Sequence, residues 1–369
     1  MAGPLPLSIP RLVAPQPVGQ ALKVVAIGGG TGLPAVLQGL SAHLVPSIDG
    51  ASASSRDALT GIVTITDDGG SSGRLRRELG MLPPGDIRNC LAALAPEDSP
   101  FRSLLQHRFI NGDGLNGHTV GNLILAALTE MDGDFVAAIE KLSELLECRG
   151  RVLPASVERV SLHAEFDDGE RAEGETAIVA RGKRIARIAL EKPVRPLPET
   201  LRALVNADAI VIGPGSLYTS VLPNLLVDGV APTISGVGGV RIFVANLMTQ
   251  PGETDGLCLE DHLEVVKQHV GFDLFDYVLV SRHPISSEVA RRYAAIGARA
   301  VRRISTAQWL GQARVVARHL AWDAEDGKMR HAPDDLATAI LELCRLGRPH
   351  AGSIYRVAGR SGGVAGVEP

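Results

Sequence analysis

Aromatic residues make up only 4% of the 369-residue chain, so platforms on which nucleic-acid bases could stack are scarce. Charge of one sign is lacking too: 37 Lys and Arg stand against 41 Asp and Glu, a net −4. No global basic field exists to attract a polyanion. The cluster Arg291, Arg292, Arg299, Arg302 and Arg303 therefore reads as a solvated helix face. The four cysteines, Cys90, Cys148, Cys258 and Cys344, lie far apart with no CxxC or histidine-containing cluster, which argues against a zinc site or a disulfide framework. No run of about 18 apolar residues occurs, which argues against a membrane span. The N-terminus is broken by prolines and has no positive region ahead of an apolar one, so it fails as a secretory signal. These absences together predict a cytoplasmic protein with a small-molecule partner, no nucleic acid and no membrane.

What the chain does have is 45% hydrophobic residues in short β-branched runs, each followed by a glycine-rich turn. LKVVAI (22–27) leads into GGGTG (28–32), and GIVTIT (61–66) into the Asp67-Asp68 loop. ADAIVI precedes GPGSLYTS (213–220), and RIFVA precedes NLMTQPGET (246–254). Helical apolar spacing follows at 85–94 and 117–131. Between 156 and 192 the pattern becomes strand, turn DDG, strand, turn RGK, strand, an antiparallel β excursion. The fold class is therefore α/β: a Rossmann-like, mostly parallel sheet with helices on both faces. One domain over 21–346 is expected, with disordered tails at 1–20 and 360–369 and a polar insertion at 47–58.

In such sheets ligands lie beyond the carboxyl ends of the strands, where strand order reverses. Gly29, Gly30, Thr31 and Gly32 offer backbone amides at a helix start, as phosphate requires. Gly28 and Gly30 fit the dinucleotide pattern GxGxxG, but its third position is Leu33. A tight strand-to-helix turn is the plainer alternative. Gly213, Pro214, Gly215 and Ser216, with Thr219 and Ser220, form a second turn of the same kind, in which Ser216 could equally cap the helix. Two such turns would suit a diphosphate.

Asp67 and Asp68, followed by Gly70, Ser71 and Ser72, keep three readings open. They would bind a ribose or sugar hydroxyl, hold a divalent cation against a phosphate, or pin their own loop. Asp86, Arg88 and Asn89 sit at a helix start, where Asp86 suits the first-turn dipole. His118, Thr119 and Asn122 sit at another. A lone histidine in that place is more often a satisfied structural group than a base, and no nucleophile motif accompanies it. No catalytic residue emerges.

The ordered set GGGTG, TDDGGSSGRLR, PPGDIRN, GHTVGNL, GPGSLYTS and NLMTQPGET resembles the bacterial gluconeogenesis factor family, UDP-N-acetylglucosamine-binding proteins distantly related to 2-phospho-L-lactate transferase. The resemblance runs from about Lys23 to Arg345. It implies a nucleotide-sugar site and a role in carbon metabolism, cell shape and wall synthesis, with no established reaction. It places Gly29 to Gly32 and Gly213 to Ser216 against the phosphates, Asp67, Asp68, Asn89 and Asn122 in the same cleft, and Asn246 and Thr249 on its other wall. The resemblance implies an aromatic residue at the position where this chain has Leu257.

The leading expectation is a non-enzymatic nucleotide-sugar sensor needing no cofactor, with homo-oligomerisation and a protein partner left open. A transferase using magnesium on a diphosphate donor is the alternative. An NAD-dependent oxidoreductase rests on the first glycine turn alone.

Overall fold

The computed structural model describes residues 22–45, 56–324 and 326–349. Both tails and the insertion up to residue 55 lie outside them. Short runs such as VVAIG and VRIFV are apolar on both faces, so they suit strands covered from two sides. That is where they fall: β1 (Val24–Gly28), β2 (Leu59–Val63) and β8 (Val240–Val244) are buried at every position, as is β7 (Ala209–Ile212).

With β3 (Arg151–Pro154), β9 (Tyr277–Ser281), β10 (Trp309–Leu310) and β11 (Ala313–Arg318) they form one sheet of order β10-β11-β9-β8-β7-β1-β2-β3. Every pairing is parallel except that of β10 with β11. The chain builds outward from β1 to β3, then returns to the other side of β1 as β7. Strand order therefore reverses between β1 and β7.

Helices cover the sheet. Gly39 lets helix Gly32–Leu44 approach helix Pro333–Leu346, since a Cβ there would stand 2.0 Å from the Pro333 carbonyl oxygen. All four cysteines are free thiols. No described helix is long and apolar enough to cross a membrane.

The excursion differs from its sequence reading. β4 (Leu162–Phe166), β5 (Arg171–Glu173) and β6 (Ile185–Leu190) form a separate antiparallel sheet of order β5-β4-β6, but ETAIVA between β5 and β6 is a helix, Glu175–Ala180. Gly174, at φ +88°, turns the chain out of the strand. Asp68 then accepts hydrogen bonds from the Thr176 amide and hydroxyl at 2.9 and 2.8 Å, satisfying a first-turn N–H as an N-cap side chain does. The arginine cluster also divides. Arg291 and Arg292 are on helix Ser287–Ala295, whereas Arg299, Arg302 and Arg303 lie in an irregular segment beyond it. A short hairpin, β12 (Ala321–Asp323) with β13 (Met329–His331), precedes the last helix.

Candidate functional site

The glycine turns after β1 and β7 meet at the reversal point. A Cβ on Gly32 would fall 2.2 Å from the Pro214 carbonyl oxygen, and one on Gly215 would lie 3.3 Å from the Gly29 carbonyl oxygen. Gly30 and Gly213 take φ +63° and +75°, a region that favours glycine, and the Gly213-Pro214 bond is cis. Ser220 packs its Cβ against Gly29, and Thr31 is exposed at the start of helix Gly32–Leu44. Gly32→Ala is accordingly expected to force the turns apart, with a loss of about 1–3 kcal/mol in unfolding free energy and of any ligand held between them. Gly236→Ala, which meets nothing within 4 Å, is the control in parallel thermal melts.

Two amides of these turns already have protein acceptors. The Gly30 N–H donates to Asp86 Oδ2 at 2.8 Å, and the Gly215 N–H to Asn246 Oδ1 at 3.0 Å. Asn246 returns a bond from Nδ2 to the Gly215 carbonyl, at 2.7 Å. Ser216 donates to buried Glu253, and Thr219 does so at 3.3 Å. Thr249 is bonded to the segment after helix Ser287–Ala295: its amide donates to the Arg299 carbonyl at 2.6 Å and its hydroxyl accepts from the Arg299 amide at 2.9 Å.

Carboxyl groups therefore dominate the cleft. Burial pushes Asp86 up to about 6, and the Asp67 charge adds to this against the opposing Gly30 amide. Burial likewise raises Asp67, although the Gly69 amide and the Ser72 hydroxyl stabilise its charge. Glu175 is pushed up to about 9 by burial, then by Asp67, Asp86 and Glu253. Glu253 is raised by burial despite its two hydroxyl donors. Such a group accepts readily from hydroxyls and repels an unaccompanied anion.

Beyond it, the loop after β2 opens into helix Gly70–Leu79, with Gly70 at φ +43°. Ser72 Oγ accepts from the Gly85 amide at 3.1 Å. Ser71 Oγ lies 2.9 Å from His118 Nδ1 and accepts from Asn122 Nδ2 at 3.0 Å, all three residues being buried. Burial lowers the His118 pKa, with Arg74 next in effect, which favours a neutral ring. Asn89 accepts from the Arg88 guanidinium at 2.6 Å.

The family model described as 2-phospho-L-lactate transferase CofD matches residues 24–318. The chain belongs to that family. It is 48% identical over 272 residues to the gluconeogenesis factor of Halalkalibacterium halodurans, covering 73% of this chain and 81% of that protein. The gluconeogenesis factor of Bacillus subtilis is 46% identical over 285 residues, covering 77% and 86%. Two Bacillus halodurans crystal structures, one described as a UPF0052 family member, match with TM-scores of 0.81 and 0.79 at 43% identity. They cover 87% of this chain and 100% and 99% of their own.

For this CofD-family chain, the sequence reading did not nominate Glu175 or Glu253. Glu253 stands within the quoted NLMTQPGET, but its bond to Ser216, 37 residues away, is visible only in the structure. Glu175 was hidden by the strand assignment. Leu257, in the place of the expected aromatic, packs against the main core.

Proposed function

We propose that this protein binds a UDP-sugar, UDP-N-acetylglucosamine or a close relative, at the reversal point between β1 and β7, and acts in the cytoplasm as a regulator that couples carbon metabolism to cell shape and wall synthesis. One observation carries this reading: two interlocked glycine turns beside a set of half-buried and buried carboxyl and hydroxyl groups. Carboxylates there suit the many hydroxyls of a ribose and a sugar. The gluconeogenesis factors among the relatives support the metabolic role.

A transferase reading has the family model in its favour. Its magnesium would need one or two carboxylates with waters and substrate phosphates; Asp67 is the candidate there, since Asp68 is held by Thr176. Calorimetric titration with UDP-N-acetylglucosamine, UDP-glucose, GDP and NAD, each with and without magnesium, separates the two. We expect UDP-N-acetylglucosamine to bind without metal and to be recovered intact. Steady consumption of the sugar nucleotide would overturn the regulatory reading, and tighter binding of NAD would overturn the ligand class.

A further inference from the structure

The geometry points to an arginine-lined groove beside the carboxyl cleft, between the start of helix Gly70–Leu79 and the loop at 108–117, as the seat of the ligand's diphosphate. This rests on the nucleotide-sugar reading and relocates its charged centre away from the glycine turns. Arg74, Arg77 and Arg108 converge there on a cavity of about 750 Å³, with Ser71 and Thr176 on its wall.

Three features set the groove apart. First, among the described residues none of these three arginines has a carboxylate within ion-pair distance, although many cations elsewhere on the surface do. Second, two of them are aimed. Arg74 Nη2 donates to the Asn116 carbonyl at 2.5 Å and Arg108 Nη1 to the Gly117 carbonyl at 2.6 Å. A guanidinium has five N–H donors in a rigid fork, so each keeps several for a phosphate.

Third, a further arginine stands behind them. Arg88 is 6% exposed, and its Nε and Nη1 have no partner. Burial and then the nearby Arg108 charge bring its pKa down to about 10. Asp86 and Asp67 offset part of this and Asn89 takes Nη2, but the two buried N–H groups left without acceptors favour an anion that can reach them. Guanidinium groups held together with spare N–H donors, none of the three on the groove in an ion pair among the described residues, indicate a site for a multiply charged anion.

The alternative seat, the glycine turns, is unfavourable by charge. The Gly30 and Gly215 amides are engaged, and a diphosphate there would face the carboxyl groups of Asp67, Asp86 and Glu253, with Glu175 holding its proton beside them. The one acid on the groove, Asp68, has its carboxylate held by the Thr176 amide and hydroxyl. Phosphate in the groove and sugar or ribose hydroxyls in the carboxyl cleft would place opposite chemistries on either side of the loop after β2.

The test is titration of the full chain and of Arg77→Gln and Arg108→Gln with inorganic pyrophosphate, UDP-N-acetylglucosamine and uridine. Arg77 is exposed and makes no hydrogen bond among the described residues, so its replacement leaves the fold intact. Each variant is expected to weaken both phosphate-bearing ligands about tenfold while leaving uridine unchanged. Undiminished UDP-N-acetylglucosamine affinity in both variants would overturn the groove and leave the nucleotide-sugar reading standing. Failure of the parent to bind that sugar nucleotide would overturn the reading, and weakening of pyrophosphate by the variants would still identify the groove. If the parent binds neither, both fall.

Discussion

Asp276→Ala is expected to lower the unfolding free energy by about 3–5 kcal/mol, the cost of leaving a buried charge without its partner. Arg241 and Asp276 are 3% and 6% exposed. Asp276 Oδ2 accepts from Arg241 Nε at 2.9 Å and Oδ1 from Nη2 at 2.6 Å, a two-pronged pair. Oδ2 also accepts from the Arg241 backbone amide at 2.9 Å, and Arg348 Nε reaches Oδ1 at 3.1 Å. One carboxylate thus closes the sheet where β8 begins and β9 is about to. Asp276→Asn keeps acceptors but not charge, so it should cost less. Removing Glu199 from its exposed pair with Arg202 should cost under about 1 kcal/mol. Urea unfolding of the three variants checks this order. Because the pair lies at the amino-terminal ends of the strands and the cleft at their carboxyl ends, ligand affinity of folded Asp276→Ala should match the parent. A loss no larger than that of the exposed pair would mean that Arg241 finds water on opening.

The framework was legible because its strands are apolar on both faces. VVAIG, AIVI and VRIFV admit few other placements, and the turns after them carry glycines where φ is positive. β3 was missed because four residues, Arg151–Pro154, carry no period. ETAIVA was misread because a short apolar run cannot separate strand from helix. What decides it is Asp68, 108 residues earlier. The same distance problem hid the site's polarity. Nothing local indicates that Asp86 answers the Gly30 amide or that Asn246 answers Gly215, across 56 and 31 residues. The turns could be read as phosphate sites from composition, whereas the two engaged amides and the surrounding carboxyls are properties of tertiary packing.

Those carboxyls are expected to contribute a stability that falls with rising pH, opposite to the usual behaviour of paired acids. Glu175 titrates at about 9 when folded against an ordinary 4.5, and Asp86 at about 6 against 3.8. Between these values the folded chain holds protons that the unfolded chain has released. The slope of unfolding free energy with pH is then negative. The contribution is fully present below the ordinary values and is lost as pH rises through about 6 for Asp86 and towards about 9 for Glu175. Even half of the Glu175 displacement is worth about 3 kcal/mol by pH 8. Glu175→Gln should therefore melt near the parent at pH 5 and well above it at pH 8, with a flatter profile between. A parent whose melting point climbs from pH 5 to pH 8, unaltered by the substitution, would refute the crowding of charge in this cleft. The same protons report on the ligand. Hydroxyls donating to these carboxyls favour the ionised form, so binding a sugar nucleotide near pH 7 should release protons, and the measured heat should vary with the ionisation enthalpy of the buffer. Glu175→Gln should abolish most of that variation, because the proton it would release is no longer there.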